Sequence, residues 1–507
     1  MDQRFGERSI RWLFIPLLLV LVSCSLSGAP DESDSESNQQ RPNILFAFAD
    51  DWGVHAGAYG TKGIETPTFD RMAREGILFR NAFVAAPSCT PSRGAVLTGQ
   101  HIWRLGPGAN LHSTLPAELP VYPHLLKKRA GYFVGHTRKG WGPGNYRRGG
   151  RTKPPSGPPF ISFVSFLEKR PEDQPFCFWF GSSDPHRGYS ASLRKKMGVD
   201  PDDVTVPPYL PDRPVVRRDI ANYYAEVQRF DREVGRLLGR LRDIGELRNT
   251  IVVISGDHGW PFPRGKSNLY DAGTHVPLVV HWPNGLSGER TVTDFVSLTD
   301  LAPTFLEAAG VNPPDDMTGN SLMPILTAAE EGRVQSARDA VITAKERHHG
   351  RCRKGNVGYP SRALRTDDFL YIRNDKPNRW PAGSPYFSSS QKTFSDTDDG
   401  PSKRFMIEHA NQPGIQSKFK LAFGKRPREE LYDLSEDPHQ IKNVAGRDGY
   451  QEVLNRLSSR LENRLKAMDD PRETDRTPEF DEYPYYTGYG KKTVEPAEAV
   501  LEALELD

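Results

Sequence analysis

Cys89-Thr90-Pro91-Ser92-Arg93-Gly94-Ala95-Val96-Leu97-Thr98-Gly99 is the stretch on which the reading of this chain turns. Pro91 suits the first turn of a helix, where a missing N–H costs nothing, and Gly99 supplies a stop, so the run predicts a short helix opening at Cys89. The unpaired N–H groups and positive dipole end of its first turn favour an anion, and Arg93, one turn in, adds a fixed charge. On these residues alone two readings stand: Cys89 is a thiolate acidified by that setting, or a buried free thiol beside a solvated arginine.

Toward the N-terminus, Asn43-Ile44-Leu45-Phe46-Ala47-Phe48 is a continuous apolar run, as expected of a parallel strand covered on both faces, and it ends in Asp50-Asp51. Adjacent carboxylates at the carboxyl end of a buried strand lie where open α/β sheets hold ligands, and a hard divalent cation relieves their repulsion. The plainer alternative is two solvated acids in a turn. Toward the C-terminus, Pro175-Phe176-Cys177-Phe178-Trp179-Phe180 and Ile251-Val252-Val253-Ile254-Ser255 predict two more buried strands, ending in Asp184-Pro185-His186 and Asp257-His258-Gly259. Three strands that each end in ionisable residues predict one site along one sheet edge. Thr66 and Pro67 open a helix with Phe69, Met72 and Ala73 on one face, and Ile77 to Val84 returns as a strand that leads to Cys89. Ile220, Tyr223, Tyr224, Val227, Val234, Leu237, Leu238 and Leu241 recur at helical spacing and predict a core-facing helix over 219–243.

The run from Cys89 to Gly99 also resembles the signature of the sulfatase family, Cys-x-Pro-Ser-Arg-x-x-x-Leu-Thr-Gly, at every fixed position. The resemblance extends from about residue 42 to 445 and implies an α/β fold of the alkaline-phosphatase-like kind: a mixed, largely parallel sheet sandwiched by helices, with a smaller C-terminal α+β subdomain. It implies that Cys89 is oxidised to formylglycine (3-oxoalanine), whose aldehyde hydrate attacks sulfur. It further implies Ca²⁺ held by Asp50, Asp51, the modified Cys89, Asp257 and His258, with Asp50-Asp51-Trp52-Gly53 standing where the family has its metal motif. Asp257-His258 occupies the place of a second metal pair that is Asp-Asn in most sulfatases and Asp-His in some, such as iduronate sulfatase; imidazole is a softer donor than Ca²⁺ prefers.

Gly131 to Trp141 resembles the second sulfatase signature, in which Lys139 takes the place of the lysine that contacts sulfate. Here Arg138 replaces the usual Gly, and Trp141 and Gly142 stand where a His commonly falls; His136 could compensate for that contact, but as a strand-end histidine it is expected to be structural. The resemblance gives Arg93, Lys139 and Lys266 the role of neutralising sulfate oxygens, and His186 that of protonating the leaving group. Trp260 to Pro263 and Asn268 to Tyr270 resemble heparan N-sulfatase, whereas Ala272 to Leu278 is nearer to iduronate sulfatase. The competing functions are a phosphomonoesterase or phosphonate hydrolase of the same superfamily, usually with a Thr or Ser nucleophile and Zn²⁺, and a non-catalytic glycan-binding surface lipoprotein in which Cys89 stays a thiol.

Residues 1–23 predict a signal peptide whose end, Leu21-Val22-Ser23-Cys24, resembles a bacterial lipobox; residues 24–40 predict a disordered tether reaching ~20 Å. This implies export to the periplasm or cell surface as a lipid-anchored protein. The remaining divisions are a catalytic domain over 41–335, an α+β subdomain over 336–470 and an unassigned tail over 471–507, with a polar insertion at 375–426, a Tyr-rich stretch at 483–489 and a weak helix at 496–506. Short strands are expected around Ala363–Thr366, Phe369–Ile372 and Glu430–Leu434. A net charge of +2 predicts no nucleic-acid partner. The expected partners are a sulfated carbohydrate and a formylglycine-generating or anaerobic sulfatase-maturating enzyme. With Cys24 lipidated and Cys89 modified, at most one disulfide is open, Cys177–Cys352. Arg138, Arg147, Arg148, Arg151 and Lys153, interleaved with Trp141 and Tyr146, predict a rim for an anionic sugar.

Overall fold

The apolar runs become the middle of one sheet. In a computed structural model describing residues 41–474, 479–487, 490 and 492–506, seven strands pair in the order β3-β4-β1-β5-β6-β2-β7. They are β1 (Asn43–Ala49), β2 (Ile77–Phe83), β3 (Phe133–Arg138), β4 (Phe176–Gly181), β5 (Thr250–Gly256), β6 (Leu278–His281) and β7 (Arg290–Ser297). All neighbours run parallel except at β6, which is antiparallel to β5 and β2. The expected signal peptide, Cys24 and tether, and part of the Tyr-rich stretch, lie outside the described residues.

β1 is apolar at every position because both of its faces are covered. Ile44, Phe46 and Phe48 pack in one layer with residues of the helices Cys89–Thr98, Tyr122–Ala130 and Leu301–Ala308. Leu45, Ala47 and Ala49 pack in the other with the helices Pro67–Glu75 and Pro214–Asp243. The latter helix begins earlier than its apolar stripe predicts, at Pro214, a residue suited to the first turn. Its stripe is core: Ile220, Tyr223, Tyr224, Val227, Val234, Leu238 and Leu241 are buried, and Leu237 is half-buried.

A second sheet is antiparallel, built from β8 (Ala340–Lys345), β9 (Ser361–Thr366), β10 (Phe369–Asn374) and a later strand, Glu429–Asp433, in the order Glu429–Asp433, β10, β9, β8. It shares the first layer's core through Ile342, Leu364, Tyr371 and Leu431, and Leu454, Leu457, Leu461 and Leu465 of the helix Gln451–Ala467 seal the same cluster. The insertion at 375–426, polar in sequence, is anchored by apolar residues at wide spacing: Phe394, Met406, Phe419 and Phe423 are all buried. Its two-residue strand β11 (Phe387–Ser388) pairs with Lys492–Thr493 from the tail. Cys89, Cys177 and Cys352 are free buried thiols, so the disulfide left open by the sequence is not formed. Among the described residues no helix is long and apolar enough to cross a membrane.

Candidate active site

The carboxyl ends of β1, β3, β4 and β5, adjacent or nearly so in the sheet, deliver the ionisable residues to one place. The helix Cys89–Thr98 points its N-terminus there; all ten of its residues are buried, and Gly99 ends it in the left-handed conformation (φ 66°). Asp51 also has positive φ (69°), a region that Asp tolerates better than most residues, and its N–H donates to Asp257 Oδ1 at 2.9 Å. A Cβ on Gly181 would fall 1.7 Å from the Lys139 carbonyl oxygen, so glycine is what lets the end of β3 lie against β4.

Cys89 Sγ lies 3.2 Å from His258 Nε2 and 3.7 Å from Asp50 Oδ1. Lys139 Nζ donates to both Asp50 oxygens at 2.6 and 2.7 Å. Lys266 Nζ bridges Asp51 Oδ1 at 3.0 Å and Asp398 Oδ2 at 3.1 Å. Arg93 is fully buried below these groups: Nε donates to Asp257 Oδ2 at 2.8 Å, one Nη to the carbonyls of Lys139 (3.0 Å) and Gly140 (3.2 Å), and the other lies 3.5 Å from Asp50 Oδ1. It braces three strand ends and does not line the cavity above them. His186, from the loop after β4, has Nδ1 2.6 Å from the Arg187 carbonyl and Nε2 4.0 Å from Asp51 Oδ2.

Opposite charges hold one another ionised in this buried cluster. Burial works to raise Asp50, but Lys139, with His186, Arg93 and Lys266, outweighs it and holds the carboxyl well below the usual range. Burial opposes the charge of Lys139 and Lys266, and the carboxylates win, so both stay protonated. Burial pushes the Cys89 thiol up against the pull of Lys139 and Lys266, which favours the buried-thiol reading over the thiolate one. His258 Nδ1 is 2.9 Å from the Gly259 carbonyl, so in the neutral ring the proton sits there and the Nε2 lone pair faces Asp51 Oδ1 at 3.1 Å and Asp257 Oδ1 at 3.5 Å. Asp51 Oδ1 is buried without a hydrogen bond of acceptable geometry. Ligand atoms of Asp50, Asp51, Cys89 and His258, two carboxylate oxygens, a sulfur and an imidazole nitrogen, lie within 4.8 Å of one another, a group that can hold a cation. Asp257 stands at the edge of this group, with one oxygen committed to Arg93.

Above the cluster opens a cavity of about 580 Å³, lined among others by Asp50, Cys89, Lys139, His186, Lys266, Trp141 and Tyr146. His136 lines it too, with Nδ1 tied to the Gly157 carbonyl at 2.8 Å, in keeping with a structural histidine. Of the predicted rim, Arg147 and Arg148 are exposed, Arg147 lying over Tyr146 and Arg148 over Tyr486 of the tail. Arg138 pairs with Glu233. Arg151 is a correction: it is buried and donates to the carbonyls of Leu115, Pro116 and Leu119, so it closes a loop and meets no ligand.

Sequence reasoning missed one wall. His348 and His349, just past β8, and Gln391 and Asp398, from the polar insertion, all line the cavity. His348 Nδ1 is 2.8 Å from Ser88 Oγ, beside Cys89. Behind them Tyr485 of the tail packs on His112 and His349, and the N–H of Tyr486 donates to the His112 carbonyl at 2.7 Å. The His348-His349 pair at a strand end and the run Asp396-Thr397-Asp398-Asp399 were the available signals.

The chain matches the family model described as Sulfatase over residues 42–153 and 159–311. It is 31% identical to human N-sulphoglucosamine sulphohydrolase, over 83% of this chain and 89% of that protein. It is 27% identical to an ulvan-active sulfatase of Formosa agariphila, over 92% of this chain and 83% of that one. A phosphonate monoester hydrolase of Agrobacterium radiobacter superposes with a TM-score of 0.61 at 18% identity, covering 84% of this chain and 96% of that one; this likeness is one of fold. Signature, sheet edge and relatives agree, and the chain belongs to the sulfatase family.

Proposed function

We propose that this protein is a formylglycine-dependent, Ca²⁺-binding sulfatase that removes sulfate from sulfated carbohydrate, the substrate class its relatives support. The observation that carries the reading is the placing of Cys89, at the head of its signature helix, among carboxylates on one side and Lys139 and Lys266 on the other, in one cavity.

Asp50, Asp51, residue 89, Asp257 and His258 would hold the cation, which supplies polarisation of the sulfate oxygens. Lys139 and Lys266 face the cavity and neutralise the same oxygens as charge builds on them, while Arg93 holds Asp50 and Asp257 in place from below. A neutral thiol has neither the charge to attack sulfur nor a second hydroxyl to release it. Once a maturating enzyme has oxidised the Cys89 side chain to an aldehyde and water has added to it, one hydroxyl gives its proton to the neighbouring Asp50 carboxylate as its oxygen attacks sulfur, and the bond from sulfur to the sugar atom breaks. The departing atom takes its proton from His186. Because His186 Nδ1 is tied to a carbonyl, the proton available at Nε2 belongs to the imidazolium form. The second hydroxyl then gives its proton to the now neutral His186, the carbon–oxygen bond to sulfate breaks, and the aldehyde returns. Export as a lipid-anchored protein and maturation by a formylglycine-forming enzyme complete the proposal.

The test has two parts. Mass analysis of the peptide carrying residue 89 should show the aldehyde in place of the thiol. Sulfate release from a panel of sulfated mono- and oligosaccharides, N-sulfoglucosamine included, should identify the substrate, with a phosphonate monoester turned over more slowly. An unmodified Cys89 in fully active protein would falsify the mechanism.

A further inference from the structure

Apart from Asp50, Asp398 is the only carboxylate among the residues described as lining the cavity, and the reaction above does not use it. It is buried, and rigidly presented. Lys403 Nζ donates to the carbonyls of Gln391, Phe394 and Thr397 at 2.6, 3.1 and 2.7 Å, caging the loop that leads to it. Two residues earlier, Asp396 accepts from Lys345, Arg353 and the His349 N–H, tying the same loop to β8. Asp398 therefore belongs to a fixed wall.

Its Oδ2 receives Lys266 Nζ at 3.1 Å, and the described residues give Oδ1 no hydrogen bond. Ligand atoms of Asp51, His186 and Asp398 lie within 4.8 Å of one another. A second metal ion is not what this trio holds, because the Lys266 ammonium already stands between the two carboxylates. Burial resists ionisation of Asp398, but Lys266, His186 and His348 outweigh it, so a negative charge faces the cavity. His186, as the proton donor, must stand at the departing atom; Asp398, with a carboxylate oxygen within 4.8 Å of a ring nitrogen of His186, would then face the sugar beside that atom. A carboxylate there only accepts hydrogen bonds. Lys266 cannot offset a second anion, since its ammonium is engaged by the sulfate being removed.

We propose that Asp398 forms a second subsite beside the sulfate cradle, one that takes a hydrogen-bond donor, hydroxyl or amine, on the sugar carbon next to the scissile sulfate and rejects a second sulfate or a carboxylate there. The proposal rests on the sulfatase reading for the placing of the first sulfate. It predicts that vicinally disulfated residues wait for another enzyme to strip the neighbouring sulfate first.

Calorimetry on the Cys89→Ala protein, which binds without turnover, tests it with pairs of sugars: N-sulfoglucosamine and its 3-sulfated form, galactose 4-sulfate and galactose 3,4-disulfate. The monosulfated member of the bound pair should bind about tenfold more tightly, as expected where like charges meet in a buried site. Adding Asp398→Asn should bring the pair to within about threefold, mainly by tightening the disulfate, while Asp398→Glu keeps the preference. Melting temperatures matching the parent show that each variant is folded. A preference unchanged by Asp398→Asn, equal weakening of both sugars, or tighter disulfate binding by the parent overturns the subsite. If the wild-type protein releases no sulfate from any of these sugars, the sulfatase reading fails separately, and the binding ratio still decides the role of Asp398.

Discussion

The floor and the far wall of the cavity are made differently. The floor is four strand ends and a helix N-terminus, each fixed by the packing of an entire layer, with Arg93 bolting β1, β3 and β5 together from beneath. The wall comes from the segment after β8, the insertion and the tail, held by a few widely spaced apolar anchors and by polar braces such as Lys403 on three carbonyls and Arg347 on the carbonyls of Asp481 and Tyr483. On the proposed reading the difference divides the labour: the floor would decide which bond is broken, and the wall what may surround it. Changes in the floor should therefore act on kcat or on metal-linked stability, and changes in the wall on KM and pH response.

The largest effect tests the floor. Cys89→Ala should reduce sulfate release by about 10³-fold or more, because the covalent route disappears, while the melting temperature stays close to wild type. Residual activity of a few per cent would place the nucleophile elsewhere. Next, a chelator should lower the melting temperature of the wild-type protein, since an ion at a hundredfold excess over its Kd adds about 3 kcal/mol to the folded state. Asp50→Asn should shrink that shift, and a wild-type melt indifferent to chelator would remove the metal from the floor.

Arg151→Ser separates structure from rim. Loss of a buried cation that satisfies three carbonyls should cost about 2 kcal/mol in denaturant unfolding and leave KM for a small aryl sulfate unchanged. Lys403 gives the wall a pH signature. Burial lowers its pKa to about 7 from an ordinary value of 10.5. The unfolded chain therefore binds more protons between those two values, and the lysine's penalty, full below about pH 7, is relieved as pH rises toward 10.5. Wild-type stability should gain on Lys403→Met by up to about 1 kcal/mol per pH unit over that window. Parallel stability curves for the two proteins would contradict it. The smallest effect is at the rim: Arg147→Ser with Arg148→Ser should raise KM for a sulfated oligosaccharide a few-fold at low salt, fading with ionic strength, with kcat for an aryl sulfate unchanged.

The same division explains what could be read from sequence. The floor was legible because each of its elements is local: an unbroken apolar run gives a doubly covered strand, and the polar residues that follow at once must lie at its end. Asp50, His186 and Asp257 each sit within six residues of such a strand's end. The wall was not legible, because its residues are polar in a polar segment and owe their positions to distant contacts. Nothing near Asp398 in sequence announces Lys266, and Phe394, Met406, Phe419 and Phe423 are too widely spaced to show a period. Arg151 misled for the converse reason: a basic residue in a Gly- and Pro-rich loop looks solvated until its three carbonyl partners are seen. The Tyr-rich tail had no reading at all, since Tyr485 finds its partners, His112 and His349, far back in the chain.

The complete burial of the helix Cys89–Thr98 sets a deadline. An enzyme that oxidises Cys89 has to grip the peptide on either side of it, and in the finished protein Ser88, Thr90, Ser92 and Arg93 are each at most 4% exposed and Pro91 is buried between them. That grip is available only while the chain is still open, before the two layers close over the sheet. If residue 89 is matured as proposed, each molecule has one opportunity, and a copy that folds first would be locked as the thiol with its cavity intact. A preparation would then be a mixture of active and permanently silent molecules whose ratio records a race between folding and oxidation, and slowing the folding should raise the active share.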